Sequence, residues 1–187
     1  MKPKYNSPVI LTYSLICVIV LGIGWLTNNS STTQFFMLFF SSFSDPLLYL
    51  RVFTYVFGHY NWAHFISNIT MLLLVGPLVE EKYGRNSLIR MMVITTVVGA
   101  IVHLLTSSAG ALGASGIIFM LVLLASFSNS RRGEIPLTFV LVCIIFLGGE
   151  IIAAFTIDDN VSRIGHLVGG ILGAFLGFLH LGRSNRR

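Results

Sequence analysis

Residues 107–129 read SSAGALGASGIIFMLVLLASFSN. The stretch Ser107–Ala114 carries no charge, although a surface loop is ordinarily polar. The run Ser115–Asn129 is apolar, but as a helix it is only about 22 Å long. A hydrocarbon core is about 30 Å thick. An uncharged loop feeding a helix too short to cross predicts that the loop itself dips into the membrane. Irregular backbone at that depth is tolerated only where it is buried in protein or lines a wet cavity. Ser115 stands at the junction of loop and helix.

The rest of the chain fits that setting. Of 187 residues, 55% are hydrophobic and 10% charged, against roughly 25% charged in a soluble domain. The membrane is therefore the solvent. Six apolar runs are candidate spans: Pro8–Leu26, Trp62–Val79, Ser87–Thr106, Ser115–Asn129, Ile135–Thr156 and Ser162–Leu181. No internal repeat or linker breaks them, so residues 1–187 read as a single all-α polytopic membrane domain. Lys2 and Lys4 precede the first run as in a signal peptide, but no small-residue cleavage site follows, and a retained helix is expected.

The charges set the orientation. Lys2, Lys4, Lys82, Arg85, Arg90, Arg131, Arg132, Arg183, Arg186 and Arg187 fall in alternate loops and the two ends, while the other side has only Arg51 and Arg163. The positive-inside rule then places both termini in the cytoplasm. The small size suits a bacterial inner-membrane protein. A net charge of +5 spread over short loops gives no basic stripe, so nucleic acid is not an expected partner. Cys17 and Cys143 lie within apolar runs and form neither a disulfide framework nor a metal site. No cofactor is expected. The long segment Thr27–Asn61 contains two aromatic-rich stretches too short to span. They either lie sideways in the outer leaflet or pack as an external cap.

Polar residues inside a membrane are costly and tend to be functional. Ser115, His166, His64 and Asn68 fall at similar depth in the outer half. Ser115 at a helix start lies beside unpaired N–H groups, where an anion is stabilised. Gly113 permits a tight turn there, and Gly116 permits close approach. Gly169, Gly173 and Gly177 share one stripe with His166, which allows another backbone to pack close. His64 and Asn68 are four apart on one helix face and can both donate hydrogen bonds. The plainer reading of each feature is helix packing, with a capping serine and histidines bonded to carbonyls.

Taken together, the pattern resembles the rhomboid family of intramembrane serine proteases. The features that carry it are His64-x-x-x-Asn68, Glu80-x-x-x-Gly84, Gly113-Ala114-Ser115-Gly116 and His166-x-x-Gly169-x-x-x-Gly173, in that order along the chain. Leu50-Arg51 stands where many members carry Trp-Arg, and Gly165 stands where Ala is common. The resemblance implies a six-helix bundle with a laterally lying first external loop and a recessed loop before the fourth helix. It also implies a Ser115–His166 dyad, with His64, Asn68 and the Ser115 N–H as oxyanion donors. The substrates would be transmembrane segments of other proteins, cut near the outer face. Phe146 would lie near the gap between the second and fifth helices.

No carboxylate is expected at the depth of His166, with Glu150 the alternative as an orienting group. His103 is expected to steady the recessed loop, His59 to be an ordinary interfacial residue, and His180 to lie far from the serine. A non-catalytic membrane chaperone shares the fold and is the alternative function. A transporter is disfavoured, since no inverted repeat is present. Substrate, cleavage position and oligomeric state are not legible.

Overall fold

The computed structural model describes residues 5–127, 134–156 and 163–183. Lys2, Lys4, Arg131, Arg132, Asp158, Asp159, Arg186 and Arg187 lie outside the described residues, as do the end of the expected fourth run and the start of the sixth. The fold is all-α. Its helices are α1 (Pro8–Leu26), α2 (Ser30–Phe35), α3 (Pro46–Thr54), α4 (Trp62–Tyr83), α5 (Arg85–Thr106), α6 (Ser115–Ser126), α7 (Leu137–Val142), α8 (Gly148–Thr156) and α9 (Arg163–Arg183). A 3₁₀ turn over Tyr55–Phe57 prolongs α3. A π-helical stretch, Cys143–Leu147, joins α7 to α8.

Among the described residues four helices are long and apolar enough to cross a membrane: α1, α4, α5 and α9, with mean hydropathies of 2.4, 1.6, 2.1 and 1.3. The helix α6 and the α7–α8 run are apolar but fall short of that length. Polarity is distributed as lipid demands. Leu15, Ile19, Leu74, Leu105, Ile145 and Phe175 face outward, while Asn68, Glu80, Thr95, Thr96 and His103 are buried. An unpaired polar group is costly in hydrocarbon, so the interior is where such groups find partners.

The helix α6 is the centre of the bundle. It packs chiefly on α9 and then on α4, and Ile117, Met120, Leu121, Leu123, Leu124 and Phe127 are almost completely buried. It is 12 residues long, roughly 18 Å. A helix enclosed by protein on all sides need not match the bilayer thickness, which is why a sequence apolar all round forms a short element here.

Helix starts follow local chemistry. The Asn61 side chain accepts from His64 N at 2.9 Å and caps α4, and Asp45 caps α3 by accepting from Leu47 N at 2.9 Å. The start of α1 is capped from a distance. Val9 N and Ile10 N donate to the two carboxylate oxygens of Glu80 on α4, at 3.2 and 3.1 Å. A carboxylate at a helix N-terminus meets both the free N–H groups and the positive end of the dipole. Gly84 then turns α4 directly into α5 at φ 77°, a conformation that glycine adopts without a Cβ penalty.

The segment between α1 and α4 is tied down by Arg51. Its guanidinium is buried, donates to Gln34 O at 2.9 Å and to Asp45 Oδ2 at 3.3 Å, and lies 4.2 Å over the Phe39 ring. The neighbouring Leu50 is exposed, so the arginine holds this segment from within.

Candidate active site

The loop before α6 is held by the segment that precedes α4. Leu38 and Ala111 exchange two backbone bonds, at 2.8 and 2.9 Å. Gly113 N donates to Tyr55 O at 2.9 Å. His103 Nε2 donates to Ala109 O at 2.8 Å, the loop-steadying contact expected of it. These bonds satisfy backbone groups that burial would otherwise leave orphaned. Gly113 has φ 125°, and a Cβ there would come within 2.9 Å of the His64 ring. Both conformation and space therefore require glycine at this turn.

From that turn the chain enters α6. The first intrahelical bond runs from Ile118 N to Ala114 O at 3.0 Å. The N–H groups of Ser115, Gly116 and Ile117 thus precede the hydrogen-bonded ladder, as at any helix start. The helices α6 and α9 meet glycine to glycine. A Cβ on Gly116 would lie 3.1 Å from Gly165 O, and one on Gly169 would overlap Gly116 O. Lower down, Gly173 faces Met120, with a Cβ reaching 2.5 Å from its carbonyl oxygen, and Gly177 faces the Phe127 ring. Ser115 and His166 each adjoin one of the touching residues, Gly116 and Gly165.

Consequently Ser115, His166, His64 and Asn68 all line one cavity of about 560 Å³. No hydrogen bond joins the Ser115 hydroxyl to His166 or to any other described residue. Such bonds are often long in a free enzyme and tighten when substrate binds. A groove of about 600 Å³ between α1, α3 and α5 is somewhat larger, but its lining is mostly apolar and includes neither Ser115 nor a histidine. The smaller cavity is where acid–base chemistry is available.

The donors have defined directions. Tyr60 N donates to His64 Nδ1 at 3.5 Å, a long bond. A neutral ring accepting at Nδ1 carries its proton on Nε2, the atom beside Gly113. Asn68 Nδ2 donates one hydrogen to His64 O at 2.8 Å, which leaves its second N–H for the cavity.

Phe119, four residues after Ser115, is stacked on His166 with ring centroids 4.5 Å apart and planes 7° from parallel. Phe146 meets the edge of Phe119 at 5.6 Å. Sequence reasoning left Phe119 out, although its spacing from Ser115 on one helix face was a usable signal.

Two expectations are corrected. No carboxylate was expected at the depth of His166, with Glu150 only the alternative orienting group, yet Glu150 Oε1 lies 3.0 Å from His166 Nδ1. The π-helical stretch Cys143–Leu147 alters the rotation of the helix before Glu150, which a strict 3.6-residue period does not anticipate. His59 was expected to be an ordinary interfacial residue but is buried, with its ring against His64 and Phe65. Its Nδ1 is 3.2 Å from Phe57 O, and its Nε2 has no partner among the described residues. His180 packs on Tyr83 at the opposite end.

Burial, and secondarily the neighbouring His64, push the His59 imidazole down to about 4, against the opposing effect of the Phe57 carbonyl. The unfolded chain takes up that proton near pH 6.5. Folding is therefore stabilised above pH 6.5 and loses this contribution as pH falls toward 4, on the order of 3 kcal/mol. The unfolding midpoint in detergent should drop across that window, and the drop should shrink in His59→Phe. An equal drop in both proteins would assign the acid sensitivity to other groups.

Helices long and apolar enough to cross a membrane define an integral membrane protein. The chain matches the Rhomboid domain over residues 47–183 and belongs to the rhomboid family. It is 24% identical over 186 residues to the rhomboid protease GlpG of Salmonella typhi, covering 97% of this chain and 66% of that protein. It is 29% identical over 144 residues to rhomboid-related protein 1 of Caenorhabditis elegans, covering 70% and 40%. RHOMBOID-like protein 5 of Arabidopsis thaliana is 27% identical over 137 residues, covering 70% and 44%. The chain thus spans between 40% and 66% of the length of these relatives.

Proposed function

We propose that this protein is an intramembrane serine endopeptidase that cuts transmembrane segments of other membrane proteins near the outer face. The observation that carries the reading is the cavity shared by Ser115 and His166, beside backbones that touch at Gly116, Gly165 and Gly169. In this reading the bundle crosses the bilayer six times, with the basic loops cytoplasmic and the loop before α6 recessed below the outer surface. The segment between α1 and α4 lies sideways at that surface.

His166 takes the Ser115 proton as the hydroxyl attacks the scissile carbonyl. The Ser115 N–H, Asn68 and His64 hold the oxyanion. His166 then protonates the leaving amine, and water resolves the acyl-enzyme. A helical substrate hides its carbonyls in its own hydrogen bonds, so it must first unwind locally. Segments with glycine or other weak helix formers near the outer surface are therefore preferred.

The test is incubation of the detergent-solubilised protein with a panel of transmembrane segments, the cuts being mapped by mass spectrometry. Cuts near the outer ends, together with a serine-directed phosphonate adduct on Ser115, are expected. Neither cleavage nor adduct, with segments still bound, would replace this reading with non-catalytic client binding. Asn68→Ala should keep measurable turnover and lose about 10²- to 10³-fold in kcat, the usual cost of one oxyanion donor. An Asn68→Ala protein at wild-type rate would remove that residue from the oxyanion site.

A further inference from the structure

We infer that Glu150 is a positioning residue for His166, so that the site works as a carboxylate–imidazole–serine relay; this rests on the Ser115–His166 reading above. Glu150 lies on α8, and its Oε1 is 3.0 Å from His166 Nδ1, with the two side chains 19% and 13% exposed. Among the described residues Nδ1 has no other polar partner, and no other cation or donor meets the Glu150 carboxylate. A carboxylate and an imidazole nitrogen held mostly away from water are each costly unless paired.

The geometry also says which partner moves. The imidazole lies flat on Phe119, which fixes the plane of its ring. The Nδ1–H is not aligned for a full hydrogen bond in the resting arrangement. The carboxylate sits at the end of three rotatable bonds, so a turn of Glu150 completes the bond while the ring stays in place. Once Nδ1 carries its hydrogen toward Glu150, Nε2 is left unprotonated, on the side of the ring away from the carboxylate. That is the tautomer a general base for Ser115 requires. In the reaction the proton passes from Ser115 Oγ to His166 Nε2 and then to the leaving amine nitrogen. Glu150 neither gains nor loses a proton. It orients the ring and stabilises the imidazolium that forms between the two transfers.

A bond that merely holds α8 to α9 would leave catalysis and tautomer alone, and the experiment is chosen on that difference. Wild type, Glu150→Gln, Glu150→Leu and Ser115→Ala are compared in detergent for cleavage of one transmembrane segment. The phosphonate labelling rate of each serine-bearing protein is also measured. Glu150→Leu should lower kcat and the labelling rate at least about 10-fold and up to about 10⁴-fold, the cost of losing the orienting carboxylate in a Ser-His-Asp triad, with KM within twofold. Glu150→Gln keeps an acceptor oxygen and should lose less.

In [15N]histidine-labelled protein, the His166 signal (assigned with His166→Gln) should show a bare Nε2 in wild type. In Glu150→Leu it should shift toward the Nε2–H form. The same signals read in the Ser115→Ala background make this arm independent of cleavage. A Glu150→Leu protein with kcat within twofold of wild type, or an unchanged tautomer signal, overturns the proposal. So does a loss confined to KM or to the unfolding midpoint. Retained cleavage by Ser115→Ala would instead overturn the parent reading, so the two failures are distinguishable.

Discussion

Ser115→Ala is expected to lower cleavage of transmembrane segments by about 10⁵- to 10⁶-fold, as removal of a serine nucleophile does elsewhere. It is also expected to abolish the phosphonate adduct while leaving the fold intact. The first effect follows from chemistry: without the hydroxyl no acyl-enzyme forms, and the oxyanion donors have nothing to stabilise. The second follows from the structure. The Ser115 hydroxyl makes no hydrogen bond among the described residues, so its removal orphans no buried partner. Alanine is also a better helix former than serine. The unfolding midpoint in detergent should therefore stay within about 2 °C of wild type, no more than the shift that about 1 kcal/mol produces in a chain of this size. Activity and midpoint must be read together, because an inactive protein that has also unfolded says nothing about Ser115. A folded Ser115→Ala protein that still cuts would remove this serine from the mechanism.

Gly169→Ala should be nearly as damaging to cleavage, by a different route. The added methyl would overlap the Gly116 carbonyl oxygen. That oxygen belongs to the backbone of the central helix and cannot swing aside. The helices α6 and α9 must then separate, at a cost of about 1–3 kcal/mol for overpacking. Ser115 and His166 ride on those two helices, and a misplacement of about 1 Å between reacting groups can cost about 10²-fold in rate. Cleavage should therefore fall at least that far, together with the unfolding midpoint. Two other glycines give the contrast. Gly170→Ala would meet the end of the Leu147 side chain, which can rotate, so its effect should be mild. Gly22→Ala on α1 has nothing within 4 Å and should be neutral or slightly stabilising, since alanine favours a helix by about 1 kcal/mol over glycine. Equal behaviour of Gly169→Ala and Gly22→Ala would show that the α6–α9 contact does not set the site.

Much of this was readable because the bilayer simplifies the problem. Where nothing outside the chain can bond the backbone, apolar runs become helices, and α1, α4, α5 and α9 appear where those runs lie. The glycine stripe on α9 was readable for a related reason. Residues spaced three and four apart share a helix face, and side-chain-free faces let backbones approach. The Glu80–Gly84 pair was visible as a pattern, but not its physical meaning. Glu80 caps α1, some seventy residues away, and Gly84 turns the chain between two helices without a linker.

The residues whose surroundings were not legible are those whose neighbours come from distant elements. His59 was placed at the interface because its local sequence is a loop, yet His64 and Phe65 close over it. Arg51 was counted as an outer charge, yet it is buried against Gln34, Asp45 and Phe39. Glu150 was only the alternative orienting group, because the π-helical stretch before it changes the rotation of its side chain and a regular helical period does not show that.

Composition and periodicity by themselves determined that this chain lives in a membrane, which runs are helical, and which small residues lie along one face. Those properties depend on each segment's own transfer energy and its own repeat, so they need no partner. Only the tertiary structure decided how the helices are rotated against one another. That rotation brings Ser115 and His166 to one cavity, lays Phe119 flat on the imidazole and sets Glu150 at Nδ1. It is fixed by contacts between backbones far apart in sequence, such as Gly116 against Gly169, and no local pattern encodes both sides of such a contact.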